Sequence, residues 1–173
     1  MQIKTESSFV PSHQPLYQGI FDLTKSLQQT YPNYKNWYEK TFLEGLKKGE
    51  REIIVAFDNK RIIGCALIKN TRLEKKLCTL FVHPNFRRQG IGEQLLKTSI
   101  QKLKQNPLVS VSQKNKPLVD TLFHKFNFHL SAVKKGVYQP ESMEYFFNDE
   151  RADVVQNKLI PVLIQRKKQL IKN

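Results

Sequence analysis

Residues 77–96 read LCTLFVHPNFRRQGIGEQLL. The first six are an apolar run that Pro84 ends, and Ile91, Leu95 and Leu96 then return at helical spacing, so the segment predicts a strand, a loop and a helix. The loop carries Arg87, Arg88, Gly90 and Gly92. A helix start leaves backbone N–H groups without partners, and the helix dipole favours negative charge there. Gly90 and Gly92 allow a ligand to approach the chain closely, and the two arginines add positive charge. A pyrophosphate suits such a place. Neither GxxxxGK[ST] nor GxGxxG occurs, which turns the reading away from nucleotide triphosphatases and dinucleotide enzymes.

Working outward, residues 51–70 (REIIVAFDNKRIIGCALIKN) predict a hairpin, with apolar runs Ile53–Phe57 and Ile62–Ile68 joined by the turn residues Asp58 and Asn59. Before it, residues 3–9 suggest a short strand. Leu16, Ile20, Leu23 and Leu27 mark one face of a helix closed by Pro32, and a second helix runs from a cap at Asn33 to a stop at Gly49, with Tyr34, Trp37, Phe42 and Leu46 as contact residues. Beyond the loop, the helix continues through Ile100 and Leu103 to Asn106 and Pro107. A strand at Leu108–Ser112, a helix at Pro117–Lys125, and strands around Phe128–Tyr138 and Met143–Phe147 follow. The order predicts an α/β fold: a single mixed central β-sheet flanked by helices, with a βαβ unit at its centre. One domain would cover residues 1–150. Residues 151–173 read as a basic helical extension, bent at Pro161, that packs on the same domain or frays.

The chain has 173 residues, 39% of them hydrophobic, enough for one sizeable core. No apolar stretch approaches the roughly 20 residues needed to span a bilayer, and the N-terminus lacks a basic lead before an apolar run, so a cytoplasmic protein without membrane attachment is expected. Cys65 and Cys78 sit in apolar runs and read as small hydrophobes, and no spacing of Cys, His or carboxylates proposes a metal. The formal charge is +14, and from Arg87 to Lys135 only Glu93 and Asp120 are acidic. Such a surface would attract an acidic macromolecule, tRNA or a phosphorylated cofactor, or simply keep the protein soluble.

Leu80 to Gly92, with Arg87, Gly90 and Gly92 in the pattern Arg or Gln, two residues, Gly, one residue, Gly or Ala, resembles the acetyl-coenzyme A loop of the GCN5-related N-acetyltransferase (GNAT) family. Asn115 followed by Leu122–Phe128 resembles the family's second landmark, an Asn, a short helix and a Leu-Tyr-x-x-x-Gly-Phe segment. The resemblance implies an acetyltransferase-like fold, to which residues 151–173 would add a C-terminal helix, and acetyl-CoA as cofactor. By position, Phe81 and Val82 would line the pantetheine arm. Arg87, Arg88, Gln89, Gly90, Ile91 and Gly92 would hold the phosphates, Asn115 would contact the pantetheine or the strand opening, and Phe123, at the second landmark, would also belong to the cofactor site.

Acetyl transfer from a thioester needs an unprotonated amine near the carbonyl, polarisation of that carbonyl, and a proton for the departing thiolate. A backbone N–H near Val82 could polarise the oxygen. The family often takes a glutamate on the third main strand as base, and residues 77–81 contain no carboxylate. Phe123 stands where the family commonly has a tyrosine and has no proton to donate; Asn127 replaces a glycine and is a residue that tolerates left-handed backbone. Candidates for proton transfer are His124, Tyr138 and His83, each with a plain reading as a surface or loop residue, and solvent can protonate a thiolate. Glu39, Glu44 and Trp37 are secondary candidates for the acceptor side. The expected function is an acetyl-CoA-dependent N-acetyltransferase acting on a primary amine of a small molecule, peptide or other macromolecule. The alternatives are a non-catalytic acyl-CoA or nucleic-acid binding protein, or an enzyme that acetylates aminoacyl-tRNA. A monomer or homodimer is expected.

Overall fold

The structure is a computed structural model that describes residues 1–149. The predicted extension at residues 151–173 lies outside them. Strand β1 (Gln2–Glu6) is followed by helix α1 (Gln14–Thr24) and a 3-10 segment at Lys25–Gln29, then by α2 (Tyr34–Asn36), a π-helical turn at Trp37–Phe42 and α3 (Leu43–Lys47) in one continuous rod. Strands β2 (Arg51–Asp58), β3 (Arg61–Asn70) and β4 (Lys75–Val82) come next, then α4 (Ile91–Leu103), β5 (Val109–Ser112), α5 (Lys116–Lys125), β6 (Leu130–Lys135) and β7 (Met143–Phe147).

The predicted hairpin forms β2 and β3, and its turn places Asn59 at φ 52°, a left-handed conformation that Asn accepts. Gly49 ends the second helix at φ 69°. The first helix tightens into 3-10 geometry instead of running as one α-helix to Pro32. Thr24 Oγ1 donates to the Ile20 carbonyl at 2.8 Å and also receives the Tyr34 hydroxyl at 3.0 Å, so a side chain competes with the backbone at that point.

The sheet is mixed and flanked by helices, as the element order predicts, but it is split. Strands β1–β2–β3–β4 form one antiparallel piece and β5–β7–β6 a second. They are joined by a parallel bridge, Lys76 with Leu108. There Leu77 N–H donates to Leu108 O at 2.9 Å and Leu108 N–H to Lys75 O at 3.0 Å. Directly afterwards β4 carries a bulge: Thr79 opposes Leu67 and Leu77 opposes Ile68, leaving Cys78 as the extra residue. A bulge increases local twist and bends its strand, and here it coincides with the point where β4 leaves β5.

Each face of the sheet has its own core. Helix α4 covers Ile54, Ala56, Ile63, Ala66 and Leu77 with Ile91, Leu95, Leu96 and Leu103, and the same cluster continues to Phe123, Phe128 and Phe147 under β7. On the other face Tyr17, Ile20, Tyr38, Phe42 and Leu46 cover Ile53, Val55, Cys65 and Leu67. Gly64 sets how closely α4 approaches, because a Cβ there would stand 3.1 Å from both Leu95 Cδ1 and the Phe81 carbonyl. A carbonyl inside a sheet cannot step aside. Gly64→Ala is therefore expected to cost about 1–3 kcal/mol through overpacking, read as a lower midpoint in urea unfolding; an unchanged midpoint would show that α4 is free to lift.

Candidate active site

The site starts from the strand edge left open by the split. His83 N–H donates to Ile63 O on β3 at 2.8 Å, so by the alternation of an extended strand Leu80 and Val82 direct their N–H groups to the opposite, open edge. The Val82 carbonyl on that edge accepts from Arg87 Nε at 3.1 Å, and the Arg87 guanidinium lies 5.9 Å from the Phe81 ring centre. Arg87 thus folds the loop back over the end of β4. Arg88 and Gly90 both take left-handed backbone, φ 60° and 78°, which turns the chain from the short 3-10 segment Pro84–Phe86 into α4. Gly90 is the N-cap and bonds no side chain there, and Gln94 N–H closes the first turn on Gly90 O at 3.0 Å. The N–H groups of Ile91, Gly92 and Glu93 precede that first closure and are the unpaired donors of the helix start. Arg87, Arg88, Gln89 and Gly90 are exposed beside them, and the Glu93 carboxylate is paired with Lys125 at 2.6 Å.

On the other side of the opening, β5 reads Val-Ser-Val-Ser. Val109 and Val111 join the α4 core, so Ser110 and Ser112 face the opposite way. Leu108 N–H bonds β4; four residues on, Ser112 N–H points to the same side, where β4 has moved away. The Tyr31 hydroxyl takes its place, accepting at 3.2 Å. Across from Ser112 in register lies Glu144 of β7. Glu144 is only 3% exposed and Ser112 1%, and the Tyr31 hydroxyl reaches both side chains. Burial pushes the Glu144 carboxyl up to about 7, against the opposing pull of a Ser110 hydrogen bond, the Lys76 charge and a Tyr31 hydrogen bond. Burial, followed by the nearby Glu144 charge, likewise raises the Tyr31 hydroxyl.

Tyr138 packs against Tyr31. It lies in the loop between β6 and β7, not on a strand, because β6 ends at Lys135. Its ring meets Tyr31 edge to face at 5.0 Å between centres, it is 46% exposed, and the neighbouring Gln139 Nε2 donates to Gln29 O at 2.8 Å.

The other predicted residues fall elsewhere. His83 caps the 3-10 turn, Asn85 N–H donating to its Nδ1 at 3.3 Å, with Arg61 Nη2 3.3 Å from Nε2. His124 is exposed on α5. That helix packs through Phe123 on Phe147, and Phe147 is on the face of β7 opposite Glu144. Phe123 itself is 2% exposed and stacks on Phe128 at 4.6 Å, so it fills the core. Asn115 is the N-cap of α5, where its side chain makes no capping bond. Asn127 adopts φ 55°, the conformation for which it can replace glycine. Glu39 and Glu44 are exposed partners of Lys35 and Lys47. Burial pushes the Cys65 thiol up to about 12 and raises Cys78 as well, which leaves both thiols protonated and poorly nucleophilic.

Glu144, Ser112 and Tyr31 are the residues that the motif-led reading missed. Their signal was present as a lone carboxylate in the apolar strand MEYFF and as the two-residue alternation of VSVS.

A sequence model described as the acetyltransferase (GNAT) domain matches residues 17–137. The chain belongs to the GNAT acetyltransferase family. No curated protein matches its sequence. Among solved structures it is similar to a GNAT-family protein from Desulfovibrio desulfuricans, with TM-score 0.65 and 15% identity over 84% of this chain and 97% of that one. It is also similar to an aminoglycoside 6'-N-acetyltransferase complexed with coenzyme A, with TM-score 0.63 and 14% identity over 85% and 95%. A third is PaiA N-acetyltransferase from Thermoplasma acidophilum in complex with coenzyme A, with TM-score 0.58 and 15% identity over 83% and 98%. At these identities the likeness is one of fold.

The buried carboxylate has a cost in stability that can be measured. Because its value in the folded protein is raised from 4.5 to about 7, the folded state holds a proton that the unfolded chain gives up, and stability falls as pH rises through that window. Glu144→Gln should flatten this fall and unfold at higher denaturant than the wild type above pH 7, by about 1–3 kcal/mol. Parallel pH profiles for the two proteins would show that the carboxylate is not desolvated.

Proposed function

We propose that this chain transfers an acetyl group from acetyl-CoA to a primary amine. The observation that carries the reading is the opening between β4 and β5, with the N–H groups of Leu80 and Val82 on its open edge and the start of α4 just beyond. Two of the similar structures hold coenzyme A, which supports the same class of ligand here. The residues fit it: the amides of Ile91, Gly92 and Glu93 would take the pyrophosphate, Arg87 and Arg88 add positive charge, and the Leu80–Val82 edge would pair with the amide-bearing pantetheine arm. Acetyl-CoA supplies the activated thioester.

The chain's part is positioning and polarisation. A strand-edge N–H of Leu80 or Val82 stabilises charge that develops on the acetyl oxygen, and β5 with Tyr31 walls the opposite side. The family's tyrosine hydroxyl is replaced by the buried ring of Phe123, so solvent or the exposed Tyr138 would supply the proton to a departing thiolate.

Gly92→Glu tests the cofactor site with little risk to the fold, because a Cβ at Gly92 would meet only Val82 Cγ2, at 3.7 Å. It sets a carboxylate beside the proposed phosphate amides. Isothermal titration with acetyl-CoA should show at least about tenfold weaker binding than the wild type, equivalent to ~1.4 kcal/mol, with unfolding unchanged. Equal affinity in the two proteins would remove the α4 start from the site, and no binding by the folded wild type would refute the proposed function.

A further inference from the structure

The face of the sheet that α1 covers carries a groove of about 410 Å³ between β1 and the start of α1, within the roughly 300–1,000 Å³ typical of small-molecule sites. β1 is the outer strand in the order β1–β2–β3–β4, so the groove stands at the opposite edge of this piece of the sheet from the open edge of β4. Its floor is apolar: Val55 is buried, and Leu16, Phe57 and Ile62 are half-buried against the same core. Helix α1 rests directly on β3 beside it, since a Cβ on Gly19 would stand only 2.9 Å from Ile62 Cδ1. Packing therefore sets the shape of the groove without a ligand.

Above that floor the charges are unevenly matched. Ile3 packs on the α4 side, so by alternation Lys4 and Glu6 of β1 stand on the α1 side, with Lys4 opposite Val55 in register. Lys60, in the turn between β2 and β3, also lines the groove. The one carboxylate lining it, Glu6, is taken by His13, whose Nδ1 is 2.9 Å away. Neither Lys4 nor Lys60 has an ion pair among the described residues. Lys4 Nζ lies instead 5.7 Å from the centre of the Phe57 ring, a contact that leaves its N–H groups able to donate to an anion.

We propose that this groove is a second binding site, for a small carboxylate with an apolar body. The carboxylate meets Lys4 and Lys60, and the apolar body lies along Phe57, Ile62 and Leu16, where it displaces water from the floor. Both parts are required. A neutral apolar molecule leaves the two ammonium groups without an anion, and a bare anion leaves the floor wet, while a cation is repelled by the lysines. The site is separate from the proposed acetyl-CoA site, because it uses no residue of the β4 edge or of the α4 start.

The test uses the full chain, with phenylbutyrate, phenylbutanol and acetate as probes. In nitrogen-15 NMR, phenylbutyrate should move the amides of Thr5, Glu6, Phe57 and Lys60 saturably and leave those of Leu80, Val82 and Gly90–Glu93 in place. Phenylbutanol and acetate should each bind at least about tenfold more weakly, and the phenylbutyrate affinity should fall as salt is raised. Lys4 and Lys60 are both exposed, so the double variant Lys4→Gln, Lys60→Gln should keep the wild-type unfolding midpoint. It should bind phenylbutyrate at least about tenfold more weakly and acetyl-CoA as the wild type does. The absence of saturable shifts at the groove amides would overturn the proposal. So would equal affinity for phenylbutanol or acetate, or wild-type affinity for phenylbutyrate in the double variant. Groove amides that move when the protein alone is diluted would assign this face to a second copy of the chain and overturn it as well.

Discussion

Two hydrogen bonds hold the two halves of the sheet together, Leu77 N–H to Leu108 O and Leu108 N–H to Lys75 O, and the whole site depends on their being followed by no continuous ladder. Backbone groups inside a fold need partners, so a sheet that opens must account for every N–H and C=O along the gap. Here the accounts are partly closed by side chains. Tyr31 takes the Ser112 N–H, and Arg87 bonds the Val82 carbonyl. The bulge at Cys78 adds the twist that carries β4 away, and Gly64 lets α4 sit close enough for its start to lie at the end of the opening.

The opening separates two chemistries. On the α4 side are the bare amides of a helix start and the arginines around it, suited to an anion. On the other side are the buried Glu144 carboxylate, the Ser112 hydroxyl and the Tyr31 ring that packs on Tyr138. This division follows from the two-residue period of β5 and β7. Val109, Val111, Tyr145 and Phe147 fill one core while Ser110, Ser112 and Glu144 are turned to the other side.

The parts of this arrangement legible in the sequence were those encoded locally. The glycines and arginines of residues 87–92 announce a helix start, and the hairpin is written in two β-branched runs about Asp58 and Asn59. Asn127 was readable as a glycine substitute because its backbone requirement is its own. The cluster of Glu144, Ser112 and Tyr31 was not legible in the same way. Glu144 is assembled with Tyr31, 113 positions earlier (144 minus 31), and only the register of β5 on β7 and the split of the sheet bring them together. Tyr138 was readable as a candidate but not as a loop residue, since the strand pattern runs past Lys135 where the chain has already turned. His124 and Phe123 illustrate the converse: neighbours in sequence on a helix, one faces solvent and the other the core.

The most direct measurement of the central claim is a nitrogen-15 NMR titration of the backbone amides with acetyl-CoA. The account predicts that the largest shifts fall on Leu80, Val82 and the Gly90–Glu93 amides, with Ser112 moving as the opposite wall. Shifts spread over the lysine-rich surface, with none concentrated on these amides, would contradict it.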